Sequence, residues 1–473
     1  MFPPVSRLVA LLLLLIPLTR AGAQVADSSA RALEREILRQ LVEINTSDSA
    51  GGASRAAQAM AGRLLEAGLP AADVHVVGYS PRYQSLVARL RGRDARRRPV
   101  LLMAHLDVVD ARREDWSTDP FMLVEKDGFF YGRGTSDNKA GAAMLVANLI
   151  RYRKEGFVPD RDLIVVLTAD EETTGESIRW LLAERRALID AEFALNTDGG
   201  GGAYVNGKAA VFSVQAAEKI YQTFRFEVRN RGGHSSLPVP DNAVYRLSRA
   251  LSRLASHVFP MRLTTITRIA FERGASLMDS TLRRDLVRVA RTGDTAAARR
   301  LSTASPYLNS VLRTTCVATR LFAGHADNAL PQLARATVNC RVHPEDDPAR
   351  VEAVLRRVAA DTAVVILAEG EARPSPPSPL RSDVMGPIEA LAARYWPGVP
   401  VVPEMSTGAT DGLYTRNAGI PTYGVGAIFE DINDSRAHGR DERVGVEEFH
   451  RAAGYWYELV KRIGSPKALA PSP

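Results

Sequence analysis

The stretch "DLIVVLTADEETTGE", Asp162–Glu176, decides how the chain is read. Leu163 to Leu167 form a short, continuous apolar run rich in β-branched residues, the pattern of a strand buried on both faces. The run leaves through Asp170, Glu171 and Glu172. Three consecutive carboxylates repel one another where water is scarce. A core strand that ends this way needs a compensating cation, a chemical use for the acids, or both.

Working outward, the same texture recurs. "PVLLMAH", "KAGAAMLVANLIRYRKEG" and "AEFALNTDGGG" alternate apolar runs with helical stretches from about Ala30 to Val211, which predicts an α/β domain with a mostly parallel sheet. After Val214 the period changes. Phe224, Phe226 and Val228 alternate with polar neighbours, as do Ala336, Val338, Cys340 and Val342, so these are strands buried on one face. Between them Val244, Leu247, Leu251, Leu254 and Val258 recur at helical spacing behind Asp241-Asn242, the start signal of an amphipathic helix. This is a compact α+β module inserted into the first domain. The α/β texture resumes at "DPARVEAVLRRVAADTAVVIL". The expected organisation is a signal peptide over 1–23, a catalytic domain over 24–213 and 344–465, an inserted lid over 214–343, and a disordered tail over 466–473.

The N-terminus reads as a secretory signal: Arg7, an apolar run from Leu8 to Leu18, and Ala21-Gly22-Ala23 as a small-residue cleavage site. That run is too short to span a bilayer, where about 20 residues are needed. The expected location is therefore secreted or periplasmic, with no stable membrane insertion. Of the 473 residues, 45% are hydrophobic, and the net charge is +7. Removal of 1–23 takes away Arg7 and Arg20 and no acid, leaving +5. The densest basic patch, "RRDLVRVARTGDTAAARR", lacks interleaved aromatics and reads as a solvated helix face rather than a nucleic-acid surface. The two cysteines, Cys316 and Cys340, form no CxxC pair; an oxidising compartment permits a disulfide between them.

The informative residues sit where apolar runs end. His105 and Asp107 follow "VLLMA", Asp137 precedes a helix, Glu171 and Glu172 follow "LIVVLTAD", and Asp198 follows "FALNT". In an open α/β sheet these positions share the rim beyond the carboxyl ends of the strands. Taken singly, Asp137 reads equally as a helix cap, His105 as a core histidine and Asp198 as a turn residue. Caps and turns have no reason to recur at every strand end, and a crevice of carboxylates requires cations. Imidazole and carboxylate donors suit zinc, with cobalt or manganese as alternatives.

"HLDVV", "YGRGTSDNKAG", "TADEETTG", "NTDGG", "RGGHSS" and "AHGRDERV" resemble, in this order, the motif set of the M20 family of dinuclear zinc metallopeptidases, which includes dipeptidases, carboxypeptidases and N-acyl amino acid hydrolases. The resemblance implies two Zn²⁺ per chain, with Asp137 bridging, His105 and Asp198 completing one site, and Glu172 and His438 the other. It implies that Asp107 orients His105 and that Glu171 is the general base. His234 resembles the lid histidine that polarises the scissile carbonyl, often supplied by a partner subunit, so a homodimer through the lid is expected. Asn328 and Arg341 resemble positions that hold substrate backbone and carboxylate, and "STGATDG", Ser406–Gly412, resembles a substrate loop. The expected activity is hydrolysis of an amide next to a free carboxylate in a peptide or an N-acyl amino acid. A non-catalytic binding homologue and a dinuclear phosphoesterase are the alternatives. Retention of Glu171 and the ligand set speaks against the first, and the lack of a basic cluster beside the ligands in the sequence against the second.

Overall fold

The computed structural model describes residues 19–465, with side chains described from residue 28; the signal-peptide and tail assignments fall mainly outside these residues. Leu163–Thr168 is a strand with all six residues buried. Its odd and even side chains enter different cores: Leu163, Val165 and Leu167 join the main one, while Ile164 and Val166 meet Ile178 and Leu181 of the helix Glu176–Glu184 on the opposite face. A strand covered on both sides has no polar face, which is why the run is continuous. Parallel strands follow on one side: Val100–His105 beside Leu163–Thr168, then Phe193–Asn196, then Thr422–Gly424. Antiparallel pairings extend this centre on both sides, and two further parallel pairs at the far side bring the sheet to ten strands among the described residues. The carboxyl ends of the three strands that precede His105, Glu171 and Asp198 therefore lie side by side.

The second sheet is antiparallel, ordered Thr315–Ala323, Leu333–Val342, Ile220–Arg229, Val365–Glu369. Phe224, Phe226, Val228, Ala336, Val338 and Cys340 fill its core. Asn242 caps the helix Ala243–Ser256 by accepting from Val244 and Tyr245 N–H; Leu247 and Leu254 of that helix are buried, while Val258 lies beyond it and is exposed. Cys316 lies directly opposite Cys340 on the neighbouring strand, and the two form a disulfide.

Two boundaries differ from expectation. The lid sheet begins at Ile220, since Lys208–Glu218 belongs to the large sheet, and it ends at Glu369 rather than at 343. The helix Pro348–Ala359 packs its buried Val351 and Leu355 into the lid core, and Val365–Glu369 pairs with Ile220–Arg229. The segment is a strand–helix–strand crossover, so its local texture matched the catalytic domain even though its sheet is the lid's. The segment between the lid strands also divides. Helices Thr265–Gly274, Ser280–Thr292, Thr295–Ala304 and Pro306–Leu312 form their own core, which includes Ala216, Ala217 and Met405 of the large sheet. The basic patch lies on two of these helices, with Leu286 and Val289 inward and Arg283, Arg284 and Arg288 exposed, as a solvated face requires.

Lys219 stands between the last strand of the large sheet before the lid and the first strand of the lid. Its buried ammonium donates to the carbonyls of Ser310 (3.0 Å) and Arg313 (2.9 Å) and to Thr315 Oγ1 (3.1 Å). Burial, then the nearby Arg341, push it down to about 7, while these oxygen acceptors favour the charged form.

Candidate metal centre and active site

The three acids at the end of the opening strand separate by role. Asp170 is fully buried and structural: its carboxylate accepts from Glu176 N–H (3.0 Å), Ser177 N–H (2.9 Å) and the Tyr79 hydroxyl (3.0 Å), which starts the next helix as an N-terminal carboxylate does. Glu172 turns to the ligand cluster, its Oε2 3.0 Å from His438 Nε2. Glu171 lies outside both donor sets of that cluster and, like Glu172, lines an adjoining cavity of about 410 Å³.

The five ligands inferred from the motifs come together. His105 Nε2 is 2.9 Å from Asp137 Oδ1, and His438 Nε2 is 3.1 Å from Asp137 Oδ2. One donor set is His105, Asp137 and Asp198; the other is Asp137, Glu172 and His438, with Asp137 common to both. His438 arrives from a turn far along the chain with φ 63°. The Asp137–Asn138 peptide is cis.

The residues fit divalent cations on three counts. The donors are imidazole nitrogens and carboxylate oxygens, a set that suits zinc and its neighbours. Glu172 Oε1 is buried with no hydrogen-bond partner. Burial, then the charge of Asp137, push Asp198 up to about 8, and burial, then Asp198, hold Glu171 well above the usual carboxylate range. Burial also acts to raise Asp137, but hydrogen bonds from His105 and His438 overcome it and hold that carboxyl low. Hydrogen bonds to Asp137 and Glu172 raise His438 to about 10.

Asp107 departs in detail from its expected role. Its backbone carbonyl, not its carboxylate, meets His105 Nδ1 at 3.0 Å; the nearer carboxylate oxygen is 3.6 Å away. The carboxylate accepts the backbone N–H groups of Glu171 (3.1 Å) and Glu172 (2.9 Å). It therefore fixes the turn that aims base and ligand apart, because two residues beyond the strand the chain has already bent toward its neighbour.

Three residues were missed in the sequence. The buried Glu442 accepts from Ser136 N–H (2.8 Å), Asp137 N–H (3.0 Å) and the Arg133 guanidinium (2.5 Å). Arg133 in turn donates to the carbonyl of Gly439 (3.0 Å). The pair ties the Asp137 loop to the His438 turn, and both residues sit within the quoted motifs, "YGRGTSD" and "GRDERV". The third, Asp411 in "STGATDG", is buried and accepts from Thr168 Oγ1 (2.5 Å), and burial pushes it up to about 7.

Arg341 lines the same cavity as Glu171, Glu172 and Lys219, and so does Arg373. A basic cluster thus stands beside the ligands, contrary to expectation; its members come from distant segments and no linear motif reveals them. His234 and Asn328 lie elsewhere. Both are exposed, His234 on the short pairing of Gly233–His234 with Ala329–Leu330 and Asn328 just before it, and neither lines this cavity. His234 Nδ1 accepts from Ser236 N–H at 3.1 Å.

A profile of peptidase family M20/M25/M40 matches residues 101–462. The chain is 27% identical over 401 residues to the N-fatty-acyl-amino acid synthase/hydrolase PM20D1 of Mus musculus, covering 81% of this chain and 77% of that one. It superposes on the M20 family metallo-carboxypeptidase Sso-CP2 of Sulfolobus solfataricus with a TM-score of 0.69 at 17% identity, over 91% of this chain and 99% of that one. It also superposes on YXEP of Bacillus subtilis, a dinuclear metal binding peptidase from the M20 family, with a TM-score of 0.58 at 14% identity, over 92% and 99% of the two chains. Since the profile runs from the strand that ends in His105 to the C-terminal helix, the chain belongs to peptidase family M20/M25/M40 and is a hydrolase of amide bonds.

Proposed function

We propose that the mature chain is an exported dinuclear zinc hydrolase that cleaves an amide bond next to a free carboxylate, in a dipeptide or longer peptide or in an N-acyl amino acid. The observation that carries this reading is the single cavity lined by both Glu171 and Arg341: it offers a carboxylate base together with a guanidinium suited to a bidentate grip on a carboxylate. Relatives support both substrate groups, since PM20D1 is named for N-fatty-acyl-amino acids and Sso-CP2 is a carboxypeptidase. Among the described residues no helix is long and apolar enough to cross a membrane.

When bound, two divalent ions supply Lewis-acid activation of water and carbonyl. The chain does the rest. Glu171 accepts the proton of the attacking water and delivers it to the nitrogen of the breaking C–N bond, which leaves as the free amine. Asp107 holds Glu171 and Glu172 in different directions through their backbone N–H groups. Arg341 positions the substrate carboxylate, and His234, brought in by the lid of the same chain or of a second copy, donates to the developing oxyanion.

The test is a screen of dipeptides, longer peptides, N-acyl amino acids and phosphoesters with the zinc-loaded protein. Hydrolysis of carboxylate-bearing amides that is lost on chelation and regained with zinc is the expected result. Turnover of phosphoesters alone would refute it.

A further inference from the structure

The cavity lined by Glu171 and Glu172 carries more positive charge in the rest of its lining than one carboxylate requires. Arg341 lies over the ring of Tyr221, 4.7 Å from its centroid, and forms no ion pair among the described residues. Arg373 is held against Tyr414, with Nη1 donating to the hydroxyl at 3.1 Å and Cζ 5.6 Å from the ring centroid. The one acid beside it, Glu371, meets Nε at 3.3 Å and is 75% exposed, so water screens the pair. Nη2 of Arg373 has no partner among the described residues. Lys219 is committed to main-chain carbonyls and adds field rather than a contact. Outside Glu171 and Glu172, three cations thus face a single solvated carboxylate.

The two guanidiniums are also pre-set. Each is laid on an aromatic face, which restrains it at little cost. Pro374 follows Arg373 and restricts its backbone to extended conformations. Groups fixed before binding lose little freedom on engaging a ligand.

Resting on the amide-hydrolase reading, we propose that this chain selects a leaving amino acid with a second carboxylate, Arg341 taking the α-carboxylate and Arg373 that of the side chain, so that acylated or peptidyl glutamate and aspartate are its preferred substrates. A neutral isostere of the same shape leaves Arg373 facing an uncharged amide, and a site built to pair a charged group rejects the analogue that lacks it.

The experiment compares N-acetyl-glutamate with N-acetyl-glutamine on the zinc-loaded protein. The expected kcat/KM ratio favours glutamate by roughly 10–10²-fold, the range of a charge-assisted hydrogen bond, and appears mainly in KM. Arg373→Met brings the ratio to within about threefold of one by lowering the glutamate value, and Arg373→Lys restores part of it. Arg341→Met lowers both substrates and keeps the ratio. A wild-type ratio near one, or equal losses on both substrates in Arg373→Met, overturns the proposal. If neither amide is cleaved, the screen of peptides and other acyl amino acids decides the hydrolytic reading separately, and calorimetric binding of free glutamate against free glutamine carries this test: an Arg373-dependent preference for glutamate supports it, and equal affinities overturn it.

Discussion

The rim of the large sheet and the short ladder of Gly233–His234 with Ala329–Leu330 both carry histidines marked by motifs, yet the fold treats them differently. On the rim, His105 and His438 reach within 3.1 Å of the shared Asp137, held by strand ends, the Asp107 carboxylate and the Arg133–Glu442 pair. On the short ladder, His234 is exposed and its Nδ1 is satisfied locally by Ser236. The rim is assembled by the folding of one domain. The two-strand ladder belongs to the lid, and its histidine stands apart from the ligand cluster. The candidate cation ligands and the guanidiniums beside them are thus in place together, whereas His234 is not among them.

The largest expected effect lies on the rim. Glu171→Gln keeps shape but cannot accept a proton, so kcat falls by roughly 10²–10⁴-fold with metal content unchanged, whereas Glu172→Gln lowers metal content by elemental analysis. A Glu171→Gln enzyme with near-normal kcat removes the distinction between base and ligand. Next, His234→Ala lowers kcat by about 10²–10³-fold, the usual loss for an oxyanion donor, again with metal retained. Mixing it with Glu171→Gln subunits asks whose lid is used: a trans arrangement returns roughly a quarter of wild-type activity, from the intact sites of mixed dimers, and no recovery despite subunit exchange assigns His234 to its own chain.

Reduction of Cys316–Cys340, 24 residues apart, costs the lid about 3 kcal/mol of stability for a loop of this length and leaves the metal ligands in place. Two free thiols in a denatured, unreduced sample would contradict the pairing. The smallest effect concerns His343 in the lid, which is fully buried and which burial pushes down to about 4. A histidine depressed below its unfolded value near 6.5 binds its proton only in the unfolded chain between those limits, so stability is complete above about pH 6.5 and falls as the pH drops toward 4. At pH 5 the loss is about 2 kcal/mol. Denaturant unfolding at pH 7 and pH 5 checks it: His343→Asn lacks this part of the decline, and identical pH slopes for variant and wild type would show that His343 titrates normally.

The legible parts of the molecule were those fixed by short-range pattern. Leu163–Leu167 announced a strand with two buried faces, Phe224, Phe226 and Val228 one with a single buried face, and the five ligands lay at strand ends or inside quoted motifs. What escaped was partnership across the fold. Val365–Glu369 has an apolar run that either sheet could accept, and only its pairing with Ile220–Arg229 assigns it to the lid. Arg373 carries no mark in "EARPSPPSP" because its meaning comes from Tyr414 and Arg341. Glu442 stood in a motif beside a ligand, but whether an acid binds metal or braces a loop depends on where its oxygens point.

The helical block Thr265–Leu312 changes the mechanics of the lid. In chain order the lid hangs from the large sheet by two strings, one at Lys219 and one through Arg373–Pro379. A body held at two points can swing about the line between them. Here a further contact is added, since the block leaves the lid and seats its core on Ala216, Ala217 and Met405, while Lys219 clamps its end through Ser310 and Arg313. That seat adjoins the first string, because Ala216 and Ala217 lie within three residues of Lys219. The block therefore stiffens one of the two attachments, and a displacement of the lid there has to disturb a packed core as well as bend a single chain crossing.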